Sequence, residues 1–280
     1  MARLVGFIGN RPDLGARVIE LEGRPLRVRR KAGVTPGWGV GFYQGGEILL
    51  KRRPIDDRDE ISVVDMTRDM RADVLIAQVR LATVGASRTE NTHPFRYRHW
   101  LFANTGTAPA FDKLRGRLAE SLPQFLQRNV RGETDSELLF HLFLSFLHDA
   151  GQLDRPQVDA PSARAALRST IALVDRLCAE EGAAPTAMNI LITNPEYLLA
   201  AHGGAPMGYH VFQGQRDLER LLGDGGLGRM RMPDYVTSRL TLVASDFDGD
   251  QLPAGWTSVP ERAIVTFTRA DEPVIEKASD

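Results

Sequence analysis

The sequence predicts an α+β fold in which two β-sheets carry helices packed on them. Short apolar segments punctuated by Gly and Pro dominate the first hundred residues and return after residue 188, while residues 134–181 switch to helical periodicity. The resulting order of strands, helices and strands lacks the regular alternation of a doubly wound sheet. With 42% hydrophobic residues over 280 positions, the chain can bury a substantial core, and residues 1–280 read as one domain.

Strands are expected at residues 4–9, 37–43, 48–51, 74–79 and 100–103, each short and bounded by turn formers. The basic run 24–31 alternates charge with Leu26 and Val28, which suits a half-exposed strand better than a polyanion patch. From Thr134 to Ala150, Leu138, Leu139, Leu142, Phe143, Phe146 and Leu147 recur at helical spacing. Thr134 or Asp135 stands where a cap is needed, and Gly151 where the helix should end. A second helix is expected over residues 162–181, with Ala165, Leu167, Ile171, Leu173, Val174 and Leu177 as its apolar face. Strands resume at 188–193, 197–201, 209–212, 240–244 and 264–267.

Composition narrows the function classes. Thirty-five basic and 36 acidic residues leave a formal charge of −1, so neither nucleic acid nor a membrane surface is an expected partner. The lone Cys178 excludes an intrachain disulfide and a multi-cysteine zinc site, and suits a reducing, cytoplasmic setting. No apolar run approaches the roughly 20 residues of a membrane span, and the N-terminus lacks a signal-peptide pattern, so a soluble protein is expected. Ala2 is small enough that removal of Met1 is expected, leaving an alanine amine.

Five stretches share an order and spacing that is specific when taken together. They are MARLVGF at 1–7, GWGVGFY at 37–43, VRLATVG at 79–85 followed by NTHPF at 91–95, FANTGT at 102–107, and GETDSE at 132–137. With them the chain resembles the class II glutamine amidotransferases, whose members open Met-Cys-Arg-Leu. Segments 189–194 and 242–250, before Trp256 and Val259, are similar to the family's later strands, so the resemblance covers nearly the whole chain. It implies a four-layer αββα N-terminal-nucleophile hydrolase-like sandwich.

The resemblance also assigns roles. It implies a nucleophilic cysteine at position 2, where the thiolate would use its own α-amine as base, but this chain has Ala2. It implies an oxyanion asparagine where Thr105 stands, with the Gly106 backbone as second donor; the asparagine here is Asn104, one place early. Arg80 matches the arginine that holds a substrate α-carboxylate, Asp135 the aspartate that holds the α-ammonium, and Thr83 with Gly106 lines the pocket. Read without the family, Asp135 could cap its helix, Arg80 pair with a nearby carboxylate and Thr83 be a strand residue.

Two independent departures, Ala2 and Thr105, point to a degenerate family member without glutaminase activity. Its expected partners are a glutamine or γ-glutamyl-type ligand and a protein whose identity the sequence does not give. Two alternatives stand beside it. One is an amidotransferase or γ-glutamyl amide hydrolase whose native cysteine at position 2 has been replaced, or one using Thr105 or Thr107 instead. The other is an interaction scaffold with no ligand pocket, using segments 152–161 and 216–234 as interface loops. No cofactor and no metal are expected.

Other candidates carry less. His93 reads as part of a structural His-Pro-Phe turn, His99 as a loop residue before a strand, and His141 and His148 as solvated positions on the Asp135 helix. Segment 246–250 imitates half a calcium loop, but Thr257 stands where the bidentate glutamate is required. The Gly-rich segment 223–228 lacks the Gly-Lys-Ser/Thr of a phosphate loop and reads as a mobile loop. Cys178 falls in the Val174, Leu177 stripe and reads as core.

Overall fold

The computed structural model describes residues 2–23, 26–30, 33, 35–81, 84–223, 236–247 and 251–278. In chain order the first eight strands are β1 (Arg3–Gly9), β2 (Arg27–Arg29), β3 (Gly37–Gln44), β4 (Glu47–Arg53), β5 (Glu60–Ser62), β6 (Val74–Arg80), β7 (Phe95–Tyr97) and β8 (Trp100–Thr105). The remaining strands are β9 (Asn189–Thr193), β10 (Tyr197–His202), β11 (Met207–Gln213), β12 (Arg239–Ser245), β13 (Thr257–Ser258), β14 (Ala263–Thr268) and β15 (Val274–Lys277). The helices are α1 (Gly15–Leu21), α2 (Val63–Thr67), α3 (Phe111–Glu120), α4 (Gln124–Gln127), α5 (Asp135–Asp149), α6 (Ala160–Glu180) and α7 (Gly214–Leu222).

Two antiparallel sheets form the centre. One has the order β13-β11-β12-β1-β6-β3-β4 and the other β15-β14-β10-β9-β8-β7, while β2 and β5 make a separate two-stranded ribbon. Three apolar layers glue the stack. Leu4, Ile8, Ile76, Leu101, Leu191, Leu198 and Val265 fill the space between the sheets. Val5, Phe7, Val40, Leu75 and Leu242 pack the seven-stranded sheet against α1, α2 and α7. Trp100, Phe102, Phe140, Phe143, Leu167 and Ile192 pack the six-stranded sheet against α5 and α6. The architecture is therefore an α+β sandwich of four layers, αββα.

Strand alternation sorts the site before any side-chain contact is considered. On β1, Leu4 and Ile8 face the other sheet while Val5 and Phe7 face helices, so Ala2 belongs to the inter-sheet series. On β6, Val74 and Ile76 belong to the same layer, which places Gln78 and Arg80 in it too. Register agrees, since Leu4 pairs with Gln78 and Arg3 with Val79. The motif GWGVGFY obeys the same rule. Trp38, Val40 and Phe42 face the helices, and the alternate glycines let the second sheet close in; a Cβ on Gly39 would stand 2.0 Å from the His93 carbonyl oxygen.

Helix α5 starts as its sequence suggests, with the Thr134 hydroxyl accepting from the Glu137 amide, and ends at Gly151, whose φ is +65°. Helix α6 begins at Ala160, two residues before the sequence reading, because Asp159 accepts from the Ser162 amide at 2.7 Å and Pro161 suits the first turn. Residues 216–222, expected as loop, form most of α7, which buries Leu218 and Leu221. His141, expected on a solvated face, is buried and donates from Nδ1 to the Glu137 carbonyl at 2.8 Å, whereas His148 is exposed. Cys178 is buried in the helix-side core, its thiol donating to the Pro109 carbonyl at 3.4 Å. Residues 224–235 and 248–250 lie outside the described residues, as do the Gly-rich loop beyond Gly223 and most of the calcium-like segment.

Candidate functional site

The inter-sheet layer opens at one end into a cleft of about 220 Å3, lined by Ala2, Gln78, Arg80, His93, Thr105 and Asp135 among others. Gly106, Thr107, Thr134 and Ser136 complete its rim. The expected Ala2, Arg80, Thr105, Gly106 and Asp135 are thus brought together from four separate stretches of chain. Thr83 lies outside the described residues. At the nucleophile position there is only the methyl group of Ala2.

Arg80 is buried at the end of β6. Its Nη2 donates to the Val84 and Gly85 carbonyls at 2.6 and 3.3 Å, and Nη1 to the Ala86 carbonyl at 3.4 Å. Burial pushes its pKa down, and the Asp135 carboxylate opposes that shift. Asp135 opens α5, where the helix dipole favours an anion. Its Oδ2 accepts from the Ala108 amide at 2.7 Å, and Oδ1 accepts from the Ser136 amide at 2.8 Å and the Ser136 hydroxyl at 3.3 Å. Burial pushes its pKa up, and those hydrogen bonds counter the rise. The cleft therefore holds a guanidinium and a carboxyl group that are each oriented by backbone groups of the loops flanking it. Asn91 fastens those loops together, donating to the Ala86 carbonyl and accepting from the Glu133 amide, both at 2.9 Å.

Thr105 and Asn104 diverge because they are neighbours on a strand. Thr105 shares the inter-sheet series with Leu101 and Ala103, whereas Asn104 follows Trp100 and Phe102 toward the helices. The Thr105 hydroxyl donates to Asp246 Oδ2 at 2.6 Å. Asp246 is itself held in a left-handed conformation, φ +61°, beside Arg3, whose guanidinium donates to the Asp246 carbonyl. Asn104 turns its carbonyl oxygen to His93 Nε2 at 3.0 Å and its amide nitrogen to the Met188 sulfur at 3.8 Å. Gly106 has φ +94°, and a Cβ there would stand 2.2 Å from the Ala187 carbonyl oxygen.

Among the lining residues that the sequence did not mark as part of the site are His93, Asn104 and Gln78. His93, read as part of a structural turn, presents its ring to the cleft; burial lowers its pKa to about 3, so it is neutral and donates from Nε2. Asn104 buries its side chain against that ring. Gln78 is 3% exposed and donates Nε2 to the Asn104 carbonyl at 2.7 Å. A carbonyl partner requires the amide nitrogen, which fixes the orientation of Gln78 and leaves its Oε1 a buried acceptor with no hydrogen-bond partner among the described residues. The cue available in sequence was position: Gln78 and Arg80 are two apart on one strand and must share a face.

Stacked antiparallel sheets between helix layers, with the first strand delivering position 2 to a cleft that holds an arginine and an aspartate, define the N-terminal-nucleophile class of amidotransferase fold. The chain belongs to the class II glutamine amidotransferase family, whose model, described as "Glutamine amidotransferases class-II", matches residues 1–211. Among its relatives, the "Probable glutamine amidotransferase DUG3" of Saccharomyces cerevisiae is 28% identical over 151 residues, 51% of this chain and 42% of that protein. The "Gamma-glutamyl-hercynylcysteine sulfoxide hydrolase" of Mycobacterium tuberculosis H37Rv is 31% identical over 131 residues, 44% of this chain and 56% of that protein. The chain thus spans about half the length of the curated relatives it matches. A solved glutamine aminotransferase class-II domain protein from Silicibacter pomeroyi superimposes with a TM-score of 0.59 over 99% of this chain and 100% of that one, at 16% identity, a likeness of fold.

Proposed function

We propose that this chain binds the α-amino-acid headgroup of glutamine or a γ-glutamyl compound in the Ala2 cleft and does not hydrolyse its amide. The observation that supports this reading is the juxtaposition of Ala2 with Arg80 and Asp135 in one cleft. A guanidinium and a carboxylate suit the two charges of an amino acid, while the position from which attack would come has no functional group. Cys178 is no substitute, being sealed in the helix-side core with its pKa raised by burial.

Calorimetric titration with glutamine, γ-glutamyl dipeptides and glutamate tests the reading. Saturable binding of the first two is expected, and Arg80→Ala should weaken it tenfold or more, since a charge-assisted hydrogen-bonded pair contributes about 1.5–3 kcal/mol. Absence of binding, or binding indifferent to Arg80→Ala, removes the ligand role and leaves the fold as an interaction scaffold.

A further inference from the structure

A second cleft, of about 320 Å3, lies at the side of the sandwich where β4 and β7, the edge strands of the two sheets, meet α5. It shares no lining residue with the Ala2 cleft. Three arginines from three different elements line it: Arg52 of β4, Arg96 of β7 and Arg131 of the turn before α5. Among the described residues none of the three makes an ion pair. Arg52 donates Nη1 to the Thr92 carbonyl at 3.3 Å and Arg96 donates Nε to the Arg98 carbonyl at 3.3 Å, which orients both without neutralising them.

Two carboxylates, Glu90 and Glu137, line the same cleft and act on Arg52 electrostatically, so three guanidiniums face two carboxylates and the cleft keeps an excess of one positive charge. Glu137 turns its oxygens to the Arg131 and Gly132 amides, at 2.9 and 2.6 Å, and Glu90 lies on the exposed rim. His141 commits Nδ1 to the Glu137 carbonyl and is held neutral by burial, so its Nε2 is an acceptor. Phe95 and the half-buried Tyr97 supply an apolar wall. Cationic forks around a concave, partly aromatic hollow of this volume match a small anion better than a flat macromolecular surface.

We propose that this cleft is a second ligand site, taking a small organic anion whose phosphate or carboxylate head is held by Arg52, Arg96 and Arg131 and whose apolar body lies along Phe95 and Tyr97. The site stands apart from the reading of the Ala2 cleft and survives its failure.

The test is a titration, by calorimetry and by amide NMR shifts, with phenyl phosphate, benzoate and the uncharged benzyl alcohol. At least one anion should saturate the protein, with benzyl alcohol at least tenfold weaker, and the stronger anion identifies the head group. Arg52→Gln and Arg131→Gln should each weaken binding about tenfold, while Arg176→Gln, at an exposed position of α6 outside both clefts, should leave it unchanged. Arg131 and Arg96 are exposed, so Arg131→Gln and Arg96→Gln keep the test decisive if Arg52→Gln fails to fold. No saturation up to about 10 mM, equal binding of benzyl alcohol, indifference to the three arginine changes, or an equal loss on Arg176→Gln would each overturn the proposal.

Discussion

Protonation of His93 should be one of the steepest pH liabilities of the fold. The ring is buried, its Nε2–H is given to Asn104, and both Arg80 and Arg52 bear on it electrostatically; burial leads the causes that lower its pKa from 6.5 to about 3. The sign follows from which state takes the proton. Between about pH 6.5 and 3 the unfolded chain binds a proton at this position and the folded chain does not, so stability is full above that window and falls as pH decreases through it. Each pH unit is worth about 1.4 kcal/mol, or about 2 kcal/mol lost by pH 5. Urea denaturation of the chain and of His93→Gln, which retains a donor for Asn104, isolates the effect. At pH 7 the variant should be the less stable by about 1–2 kcal/mol, and by pH 5 that gap should close or reverse. His99, His141 and the depressed carboxylates titrate in both proteins and cancel. A gap that is the same at both pH values would refute the assignment of a buried neutral His93.

Four further outcomes follow from packing and pairing. Gly39→Ala should cost about 1–3 kcal/mol because its Cβ would meet a backbone carbonyl that cannot swing aside, whereas Gly116→Ala in α3, with nothing within 4 Å, should raise stability by about 0.5–1 kcal/mol; thermal melts check both. Asp56→Ala should cost about 1–3 kcal/mol in urea denaturation, since buried Asp56 accepts from Trp38 Nε1 at 2.7 Å and from Arg58 Nη2 at 2.7 Å. Arg58 first and then Trp38 hold that carboxyl well below the usual carboxylate range, so its contribution is present above about pH 4 and is lost as pH falls below it; Asp56→Asn should flatten the acid limb of the stability curve.

Much of the fold was legible because its motifs are physical requirements. Alternate glycines in residues 37–43 are what a second sheet needs in order to approach β3, and Thr134 with Gly151 punctuates α5 as their chemistry demands. The convergence of Ala2, Arg80 and Asp135 could be expected from the resemblance, but not from periodicity. What escaped is what depends on faces. Moving the asparagine from position 105 to 104 looks minor on paper, yet a strand turns it from the inter-sheet side to the helix side and hands its place to a threonine that Asp246 then engages. The missed burial of His141 has a different cause. Helix α5 is covered on most sides, by the six-stranded sheet, α3, α4 and α6, so Glu137, His141 and Ser145 are buried as well and a solvated face at His141 cannot be inferred from the apolar stripe. Gln78 escaped because a lone glutamine in an apolar strand carries no motif; only its unpartnered oxygen singles it out.

Arg80 and Asp135 stand in a cleft where position 2 offers only the methyl group of Ala2. Ammonia release from glutamine by the purified chain tests the proposed lack of hydrolysis most directly, with an Ala2→Cys, Thr105→Asn double variant assayed alongside. No release above buffer is expected from the chain as it stands, and turnover is expected in the double variant. Glutamine-dependent ammonia release by the unaltered chain, abolished by Arg80→Ala, would contradict that proposal.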